Sequence, residues 1–357
     1  MPVPITIIGA GPAGCAAALT LRRYLPHLAV TLVSRAPAEG TQAPAVGETL
    51  SPGVLPLLDY LGLREQFQQQ GHLQCGGTAS AWGSARLLER SYLFSGRGHG
   101  WHLDRAGFDA WLLSRAQEAG VHCVRARALR AQRHDGQWQI ELEGGDQLVT
   151  TAIVEASGRS SWLMRDQGAA PQRHDGLVAD ARWFQHGRAE ASGDGALVES
   201  TPDGWWYSAS LPGRRGVAMF MTDNDLRAQS AWDERLDAAP ATKARLAAWQ
   251  ATGEAATRAA HSQCAPAPVG HGWVAAGDTA AAFDPISSLG IGFSLRSGME
   301  AARVAVAALE DDDGPAAAFA ASLTRIYSDY RSRLHGIYAQ EQRWPQAPFW
   351  ARRHGGT

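Results

Sequence analysis

A glycine-rich turn near the N-terminus constrains the fold more than any other feature of this sequence. The apolar residues 5–8 precede the turn G-x-G-x-x-G, and a helix rich in alanine and leucine follows it. In this context Gly9 permits a tight turn, Gly11 lets the backbone approach a pyrophosphate, and Gly14 lets helix and strand pack closely. The amides and dipole of the helix N-terminus, beside Ala13, would stabilise phosphate charge. The turn therefore predicts a dinucleotide-binding α/β protein, and an ordinary glycine turn without a ligand is the alternative.

The length and composition of the chain limit its organisation and partners. Its 357 residues, 45% hydrophobic and 19% charged, suffice for a large α/β domain with a second region. The net charge of -2 gives no electrostatic basis for binding nucleic acid or an acidic membrane surface. The four cysteines lie far apart without a C-x-x-C pattern, so we expect no metal site and a reducing, cytoplasmic location. The first residues lack the basic segment of a signal peptide, and no apolar run of about 20 residues predicts a membrane span.

The end of the second predicted strand departs from the usual dinucleotide pattern. Residues 29–33 form a continuous β-branched run typical of a buried parallel strand. Ser34 follows at the position where an acidic side chain usually holds the ribose hydroxyls, and it carries no charge. We therefore expect Ser34 and the adjacent Arg35 to contact the cofactor without the usual carboxylate, which weakens an interpretation as a pure NAD site.

The predicted elements of two structural types are interleaved along the chain. Residues 225–253 are predicted to be largely helical, and apolar residues at spacings of three and four from 319 to 337 predict a final amphipathic helix. The predicted fold class is α/β: a Rossmann-like cofactor-binding fold with an inserted, mainly antiparallel β-sheet substrate domain and a C-terminal helix. The predicted boundaries are 1–71, 100–165 and 266–312 for the cofactor domain, 72–99 and 166–265 for the substrate domain, and 313–357 for the C-terminal helical segment.

Two later segments repeat the pattern of a strand that ends in small residues. One is Ala-Ser-Gly-Arg at 156–159. The other is Gly-Asp-Thr-Ala at 277–280, followed by Phe-Asp-Pro-Ile-Ser-Ser-Leu-Gly-Ile-Gly at 283–292 and a helix. Together with the glycine turn, these segments resemble the flavoprotein monooxygenases of the p-hydroxybenzoate hydroxylase type. The resemblance implies that the Rossmann-like domain is an FAD-binding domain.

The same resemblance assigns positions in this chain to the cofactor. It implies that Asp278, beside Gly277, binds the ribityl chain of FAD, and that the loop at Pro285 runs along the flavin ring. It also implies that the helix beginning at Gly290 and Ile291 points its N-terminus at the flavin. The helix dipole would stabilise negative charge on the reduced ring.

Arg105 corresponds to a family arginine near the phosphates and ribityl chain of FAD. It precedes a predicted helix over residues 106–118. Each of these assignments has a structural alternative: Arg105 could be a surface residue, Asp278 a helix N-cap, and Asp284 before Pro285 an ordinary turn residue.

Three further segments narrow the resemblance to one branch of the superfamily. They are residues 46–52 (VGETLSP), residues 204–212 (GWWYSASLP), and residues 338–350, which contain Arg-Trp-Pro and Phe-Trp. They resemble the tryptophan-halogenase-like branch, and most closely its LodB/GoxB-type members, which mature tryptophylquinone cofactors. In relatives the Gly-Glu loop borders the flavin, which here implies that Gly47 and Glu48 lie beside it.

The resemblance also provides candidates for catalysis. These are Glu48, Asp284 and Pro285. Glu48 could carry a proton, or it could have a purely structural role through hydrogen bonds to the Pro285 loop. Further candidate proton carriers are His72, His99 and His102.

The distribution of lysine disfavours halogenation. Flavin halogenases use a lysine between flavin and substrate, whereas Lys243 is the only lysine of this chain and lies in a predicted helix of the second domain. Arg86 and Arg90 follow the Gly-Glu loop, but a guanidinium does not readily lose a proton. The resemblance then implies oxygenation with O2, in which a flavin C4a-hydroperoxide hydroxylates an aromatic, indole-like substrate.

The expected substrate is an aromatic molecule, with a Trp side chain of a precursor protein in quinone cofactor biogenesis as a candidate. The expected electron donor is NAD(P)H, directly or through a reductase. Other functions stay open: a halogenase, a flavin reductase or dehydrogenase, and a non-catalytic flavoprotein assembly factor. Four aromatic residues of predicted strands are expected to line the substrate pocket, with core packing as the alternative: Trp82, Trp205, Trp206 and Phe220.

Overall fold

A computed structural model of the chain describes residues 3–35, 46, 49–92, 96, 98–186 and 195–355. The strands are β1 Val3–Ile8, β2 Val30–Ser34, β3 Thr49–Leu50, β4 Leu73–Cys75, β5 Gly77–Ala81, β6 Leu88–Ser91, β7 Gly100–His102, β8 His122–Arg125, β9 Ala128–His134, β10 Gln137–Leu142, β11 Gln147–Glu155, β12 Gln172–Arg173, β13 Leu177–His186, β14 Ala196–Thr201, β15 Gly204–Leu211, β16 Arg215–Asp223, β17 Trp249–Ala259, β18 Gln263–Cys264, β19 Val269–Gly270, β20 Trp273–Ala275 and β21 Ala281–Ala282. The helices are α1 Pro12–Tyr24, α2 Leu55–Leu61, α3 Arg64–Gln68, α4 Arg105–Glu118, α5 Trp162–Asp166, α6 Trp232–Asp237, α7 Pro240–Leu246, α8 Gly290–Ala307, α9 Gly314–Tyr338 and α10 Pro348–His354.

The first large sheet is mostly parallel and has the order β19-β20-β11-β1-β2-β8, with β9 and β10 attached beside β11. β1 pairs in parallel with β2 and with β11, and Ile5 and Ile7 are fully buried. This burial agrees with the continuous apolar run, because a parallel sheet is covered on both faces. α1 and α8 pack closely together at Gly298, where an added Cβ would lie 2.1 Å from the Ala13 carbonyl oxygen.

The second large sheet has the order β17-β13-β16-β15-β14-β5-β6. Its neighbours pair antiparallel except β5 and β14, which are parallel. All of its strands come from the segments 72–99 and 166–265, whereas the strands of the parallel sheet come from 1–71, 100–165 and 266–312. Two short sheets, β3-β7-β4 and β12-β18-β21, complete the strand pairing of the described residues.

The prediction that residues 225–253 are largely helical is wrong at its end. α6 and α7 lie within this range, but β17 begins at Trp249. β17 pairs with β13 between Trp249 and Ala259. Pairing with a neighbouring strand outweighs the local preference of an alanine-rich sequence, so the strand could not be recognised from its own residues.

The final amphipathic helix is confirmed as α9, which buries residues at spacings of three and four. Its buried side chains are Phe319, Leu323, Tyr327, Tyr330, Leu334 and Tyr338. Several of them join the core that also holds Trp183 and Met219 of the antiparallel sheet. The predicted α/β fold class, with an antiparallel sheet and a C-terminal helix, is therefore confirmed. Among the described helices, none is long and apolar enough to cross a bilayer.

Candidate functional site

A cleft of about 600 Å³ opens where three loops leave the carboxyl ends of β1, β11 and β20. These ends meet at one edge because the three strands are parallel neighbours. Ligands of open α/β sheets bind at this edge. The loops contribute Gly11, Pro12, Ala13, Ala156, Gly158, Arg159, Ala276, Gly277 and Asp278 to the lining.

The three glycines of the turn differ in their surroundings. Gly9 has a φ of 110°, and a Cβ there would lie 2.2 Å from the Ala156 oxygen. A Cβ on Gly14 would lie 1.8 Å from the Gly9 oxygen, whereas a Cβ on Gly11 would have no neighbour within 4 Å. Gly11 is the N-cap of α1, and no side chain caps this end. Open space beside an uncapped helix N-terminus fits the diphosphate of FAD.

Ionic contacts hold two of the arginines in the cleft. Arg159 Nε lies 3.3 Å from Asp278 Oδ2, and Arg159 also donates to the His261 carbonyl. Asp278 follows Gly277 in a short 3-10 turn whose N-cap is Ala276, so the alternative of Asp278 as a helix N-cap is not what the structure contains. The Asp278 carboxylate lines the cleft, where it can accept from hydroxyl groups such as those of a ribityl chain.

Arg105 begins α4 and also lines the cleft. Its guanidinium forms two hydrogen bonds to Asp109, at 3.2 and 3.0 Å, and a third to the Val46 carbonyl. Only 16% of its side chain is exposed, which contradicts the alternative of a surface arginine. The residue therefore brings a guanidinium group to the cleft, held in place by the Asp109 carboxylate, which lines the cleft as well.

Asp284 is a buried carboxyl group in the cleft wall, with 2% of its surface exposed. It accepts from the Ile286 amide at 2.9 Å and from Tyr338 Oη at 2.7 Å, while its own amide donates to Tyr330 Oη. Burial, reinforced by the charge of Asp175, raises the pKa of Asp284 to about 6, against the hydrogen bonds from Tyr338 and Ile286. Asp284 is therefore more than a turn residue, because it can gain or lose a proton near neutral pH.

The start of α8 faces the same cleft. Gly290 and Ile291 line it together with Pro285, and no side chain caps the helix N-terminus. Ser297 of α8 accepts a hydrogen bond from the Gly277 amide at 2.9 Å, which fixes the helix against the Asp278 turn. These contacts bring together residues that lie far apart in the sequence. The uncapped N-terminus of α8 can stabilise negative charge that develops in the cleft.

The antiparallel sheet forms the opposite wall through a contiguous patch of side chains. Cross-strand partners are Tyr207 with Met219, Ala179 with Met221, and Ala179 with Arg258, and all five residues line the cleft. Arg258 forms no ion pair within the described part of the chain, although it donates to the Thr257 carbonyl. Polarisable methionines and a tyrosine form a surface suited to an aromatic group, with one cation beside it.

A hydrogen-bonded chain extends from this wall into the interior. The hydroxyl groups of Tyr207 and Thr49 lie 2.6 Å apart, and Thr49 Oγ1 lies 3.2 Å from His102 Nδ1. Tyr207 and Thr49 line the cleft, while His102 is 1% exposed. The chain therefore connects the cleft to a buried imidazole.

The four aromatic residues predicted for the substrate pocket do not line the cleft. Side chains alternate between the two faces of a strand, so Tyr207 on the cleft face puts Trp206 on the other. Trp206 and Phe220 pack 5.0 Å apart in a separate core there. Trp205 is on the same face as Tyr207 but is buried in the core next to the cleft, where it donates to Tyr338 Oη. Trp82 packs against both Trp205 and Tyr338.

Several other predicted residues lie away from the cleft. Ser34 is the last residue of β2, and neither it nor Arg35 is among the lining residues. Gly47 and Glu48 lie outside the described residues, so their predicted roles stay predictions. His72 is buried between Phe67 and Phe108, where burial lowers the pKa of its imidazole to about 4.

Many lining residues of the cleft could not be singled out from the sequence, and three of them carry polar or charged groups that matter for its chemistry. Arg159 stands at the end of a recognised motif, yet nothing local indicates its contact with Asp278. Nothing in the sequence distinguishes Tyr207 from the neighbouring Trp205 and Trp206, because only the strand register decides which face each residue occupies. Arg258 belongs to β17, the strand that the sequence pattern did not predict. Within the described residues, no cluster of His, Cys, Asp and Glu could hold a metal ion.

Comparison with known proteins agrees with this geometry. The family model described as an FAD binding domain matches residues 2–314. The FAD-dependent oxidoreductase LodB of Marinomonas mediterranea is 32% identical over 369 residues, which cover 98% of this chain and 96% of LodB. The predicted resemblance to LodB-type flavoproteins and the predicted binding of FAD are thereby confirmed.

Two solved structures extend the comparison. The peptidyl tryptophan dihydroxylase QhpG, essential for tryptophylquinone cofactor biogenesis, has a TM-score of 0.76 and 27% identity over 99% of this chain and 79% of QhpG. The flavin-dependent halogenase CmlS has a TM-score of 0.85 and 21% identity over 99% of this chain and 68% of CmlS. The similarity to CmlS is one of fold.

Proposed function

Because this chain belongs to the FAD binding domain family and is an FAD-dependent oxidoreductase, we propose that it is a monooxygenase that hydroxylates the indole ring of a tryptophan side chain in a precursor protein. One observation carries the proposal: loops that fit FAD face an apolar patch of Tyr207, Met219 and Met221 in one cleft. The similarity to QhpG, which acts on peptidyl tryptophan, supports this substrate class.

The loops of the parallel sheet would bind and orient FAD. The amides at the start of α1 would bind the diphosphate, for which Gly11 leaves space. Asp278 would accept from the ribityl hydroxyls, with the Arg159 guanidinium beside it and that of Arg105 elsewhere in the lining. When bound and reduced, FAD would supply the two electrons with which one oxygen atom of O2 enters the substrate and the other leaves as water. NAD(P)H, directly or through a reductase, is the proposed source of these electrons.

The sheet wall would hold the indole and exclude water. Met219 and Met221 would contact the indole face through their polarisable sulfur atoms, and the neighbouring Ala179 would leave room for the ring. Exclusion of water protects a reactive oxygen donor from hydrolysis and side reactions. Asp284 would accept the proton that leaves the indole carbon when the ring regains aromaticity, and Tyr338 stabilises the carboxylate through its hydrogen bond.

Halogenation is the second candidate function, because CmlS shares the fold. The position of the single lysine disfavours it. Lys243 lies on α7, is 58% exposed and pairs with Asp237 at 2.7 Å. α7 covers the face of the sheet that carries Trp206, opposite the face that lines the cleft. Lys243 therefore cannot relay a halogen atom to a substrate in the cleft.

A turnover experiment tests the proposal and its rival together. The protein is incubated with FAD, an NADPH-dependent flavin reductase, O2, bromide and a tryptophan-containing peptide, and the products are analysed by mass spectrometry. We expect peptide that has gained the mass of one or more oxygen atoms and carries no bromine. Brominated peptide without added oxygen would contradict the proposal in favour of halogenation.

Replacement of Arg258 tests the peptide side of the site. Arg258 is expected to donate to main-chain carbonyl oxygens of the substrate, so it should stabilise the ground state and the transition state equally. Arg258→Ala should raise KM for a tryptophan peptide about tenfold and change kcat less than about threefold. Arg215→Ala is the matched control, because Arg215 lies on β16 of the same sheet, pairs with Glu254 and does not line the cleft. A fall in kcat as large as the fall in kcat/KM would contradict a role confined to binding.

A further inference from the structure

The back of the antiparallel sheet contains a second cavity, of about 610 Å³. We propose that it docks an acidic segment of the protein substrate by binding carboxylate side chains, an inference that rests on the proposed function. The cavity is formed by four chain segments from β13, the turn after β16, α6 and β17. Its lining is Asp180, Ala181, Arg182, Asn224, Arg227, Ala228, Ser230, Trp232, Arg235, Ala255, Ala256 and Thr257.

Asp180 is the one acidic residue of this lining, and its carboxylate is already occupied. Arg227 Nε donates to Oδ1 at 2.7 Å, Thr257 donates to the same oxygen at 2.7 Å, and Arg235 donates to Oδ2 at 3.3 Å. Arg235 is 6% exposed, and its remaining nitrogens donate to Ser230 Oγ and to the Arg227 carbonyl. One carboxylate thus stands among three arginines, and the lining keeps a net positive charge.

Two of the arginines retain donors for a ligand. Arg182 stacks over the Trp232 ring, with its guanidinium carbon 4.2 Å from the ring centroid, and it forms no ion pair in the described part of the chain. Arg227 uses only Nε for Asp180, which leaves its two terminal nitrogens. Stacking holds the Arg182 guanidinium flat and leaves its edge open, the geometry in which arginine binds a carboxylate through two parallel hydrogen bonds.

The cavity and the cleft lie on opposite faces of the antiparallel sheet, so both can be occupied at the same time. Ala179 lines the cleft, whereas Asp180 and Arg182 point to the other face of the same strand. Phe220, the cross-strand partner of Asp180, packs on the cavity's face of the sheet, where the Arg235 guanidinium carbon lies 4.8 Å from its ring centroid. The backbone of the sheet therefore stands between a ligand in this cavity and the cleft.

A protein segment suits this site better than a lone anion. The volume far exceeds that of one carboxylate, and the open donors belong to different chain segments, so several acidic side chains can be bound in succession. A second attachment point raises the effective concentration of the reacting tryptophan at the cleft without any new contact to it. The cavity would thus contribute to the recognition of a folded or extended protein rather than of free tryptophan.

Fluorescence anisotropy with a fluorescein-labelled oligo-glutamate peptide tests this proposal. The peptide contains no tryptophan, so its binding does not depend on turnover in the cleft. Arg182→Gln/Arg227→Gln should weaken binding at least about tenfold, because two charge-assisted contacts to carboxylates are removed. The control is Arg64→Gln/Arg296→Gln, which removes the same charge from exposed, ion-paired arginines outside the cavity. The control should bind within about twofold of the unaltered protein.

Three outcomes would overturn the proposal. An equal loss in both double variants would mean non-specific attraction, and no loss in either would mean that the peptide binds elsewhere or not at all. Binding of free citrate that depends on Arg182 and Arg227, without binding of the peptide at the same ionic strength, would mean a small-anion site. Thermal melting of each variant confirms folding. If the protein binds the oligo-glutamate peptide but does not hydroxylate tryptophan, only the proposed function is contradicted. The two proposals can therefore fail separately.

Discussion

Gly11→Val is expected to lower the affinity for FAD at least about a hundredfold while the apoprotein stays folded. A Cβ at Gly11 meets no protein atom within 4 Å, and the residue has a φ of -72°, which valine adopts without strain. The added side chain would instead occupy the space beside the α1 amides. Charge-assisted hydrogen bonds from those amides to the diphosphate are worth about 1.5–3 kcal/mol each, so the loss of one or two accounts for the effect.

Gly14→Ala provides the matched contrast. Its Cβ would lie 1.8 Å from the Gly9 oxygen, a distance that requires movement of the strand or the helix. We expect the free energy of unfolding to fall by about 3 kcal/mol. FAD titration followed by flavin fluorescence and thermal melting of the apoprotein separate the two variants. Retention of tight FAD binding by Gly11→Val would contradict the placement of the diphosphate at this turn.

Asp284→Asn is expected to lower kcat about a hundredfold, which is the usual effect on rate of removing a general base. Burial raises the pKa of Asp284 to about 6, above its ordinary value of 3.8. The ionised carboxylate is the form that accepts a proton. The unaltered protein should therefore gain activity as the pH rises through about 6, and the asparagine variant should lose this limb of the profile.

The same pKa shift determines how the stability of the protein should depend on pH. Because the pKa of Asp284 is higher in the folded state, its contribution to stability is complete below about pH 4 and is lost as the pH rises through about 6. Asparagine is neutral at every pH, and its amide can donate to Tyr338 Oη. The variant should therefore melt no lower than the unaltered protein at neutral pH. An unchanged pH–rate profile in the variant would exclude Asp284 as the proton acceptor.

The cofactor half of the site could be predicted because its determinants are local. Gly9, Gly11 and Gly14 act within one turn, and Asp278 and Pro285 stand in short segments whose residue types limit the backbone and the charge. Such patterns predict the same local structure whatever the fold of the remaining chain. The structure adds what no local pattern contains, namely that Arg159 pairs with Asp278 and that Tyr338 donates to Asp284.

The substrate half could not be predicted because it depends on register and on distant pairing. An offset of one residue exchanges the faces of a strand, so Tyr207 lines the cleft whereas the more conspicuous Trp206 is buried behind the sheet. Arg258 reaches the cleft only because β17 pairs with β13, a contact that the alanine-rich sequence of β17 does not reveal. Residues of this kind become visible only when the partner strand is known.

The central claim is that oxygen from O2 is inserted into a tryptophan side chain in this cleft. It is tested most directly by turnover of a tryptophan-containing precursor peptide in ordinary water under oxygen gas labelled with the heavy isotope. The account predicts heavy oxygen on the tryptophan residue, located by tandem mass spectrometry, and no incorporation with the Gly11→Val variant. Ordinary oxygen from water at that residue, or an unmodified tryptophan while reduced flavin is consumed, would contradict it.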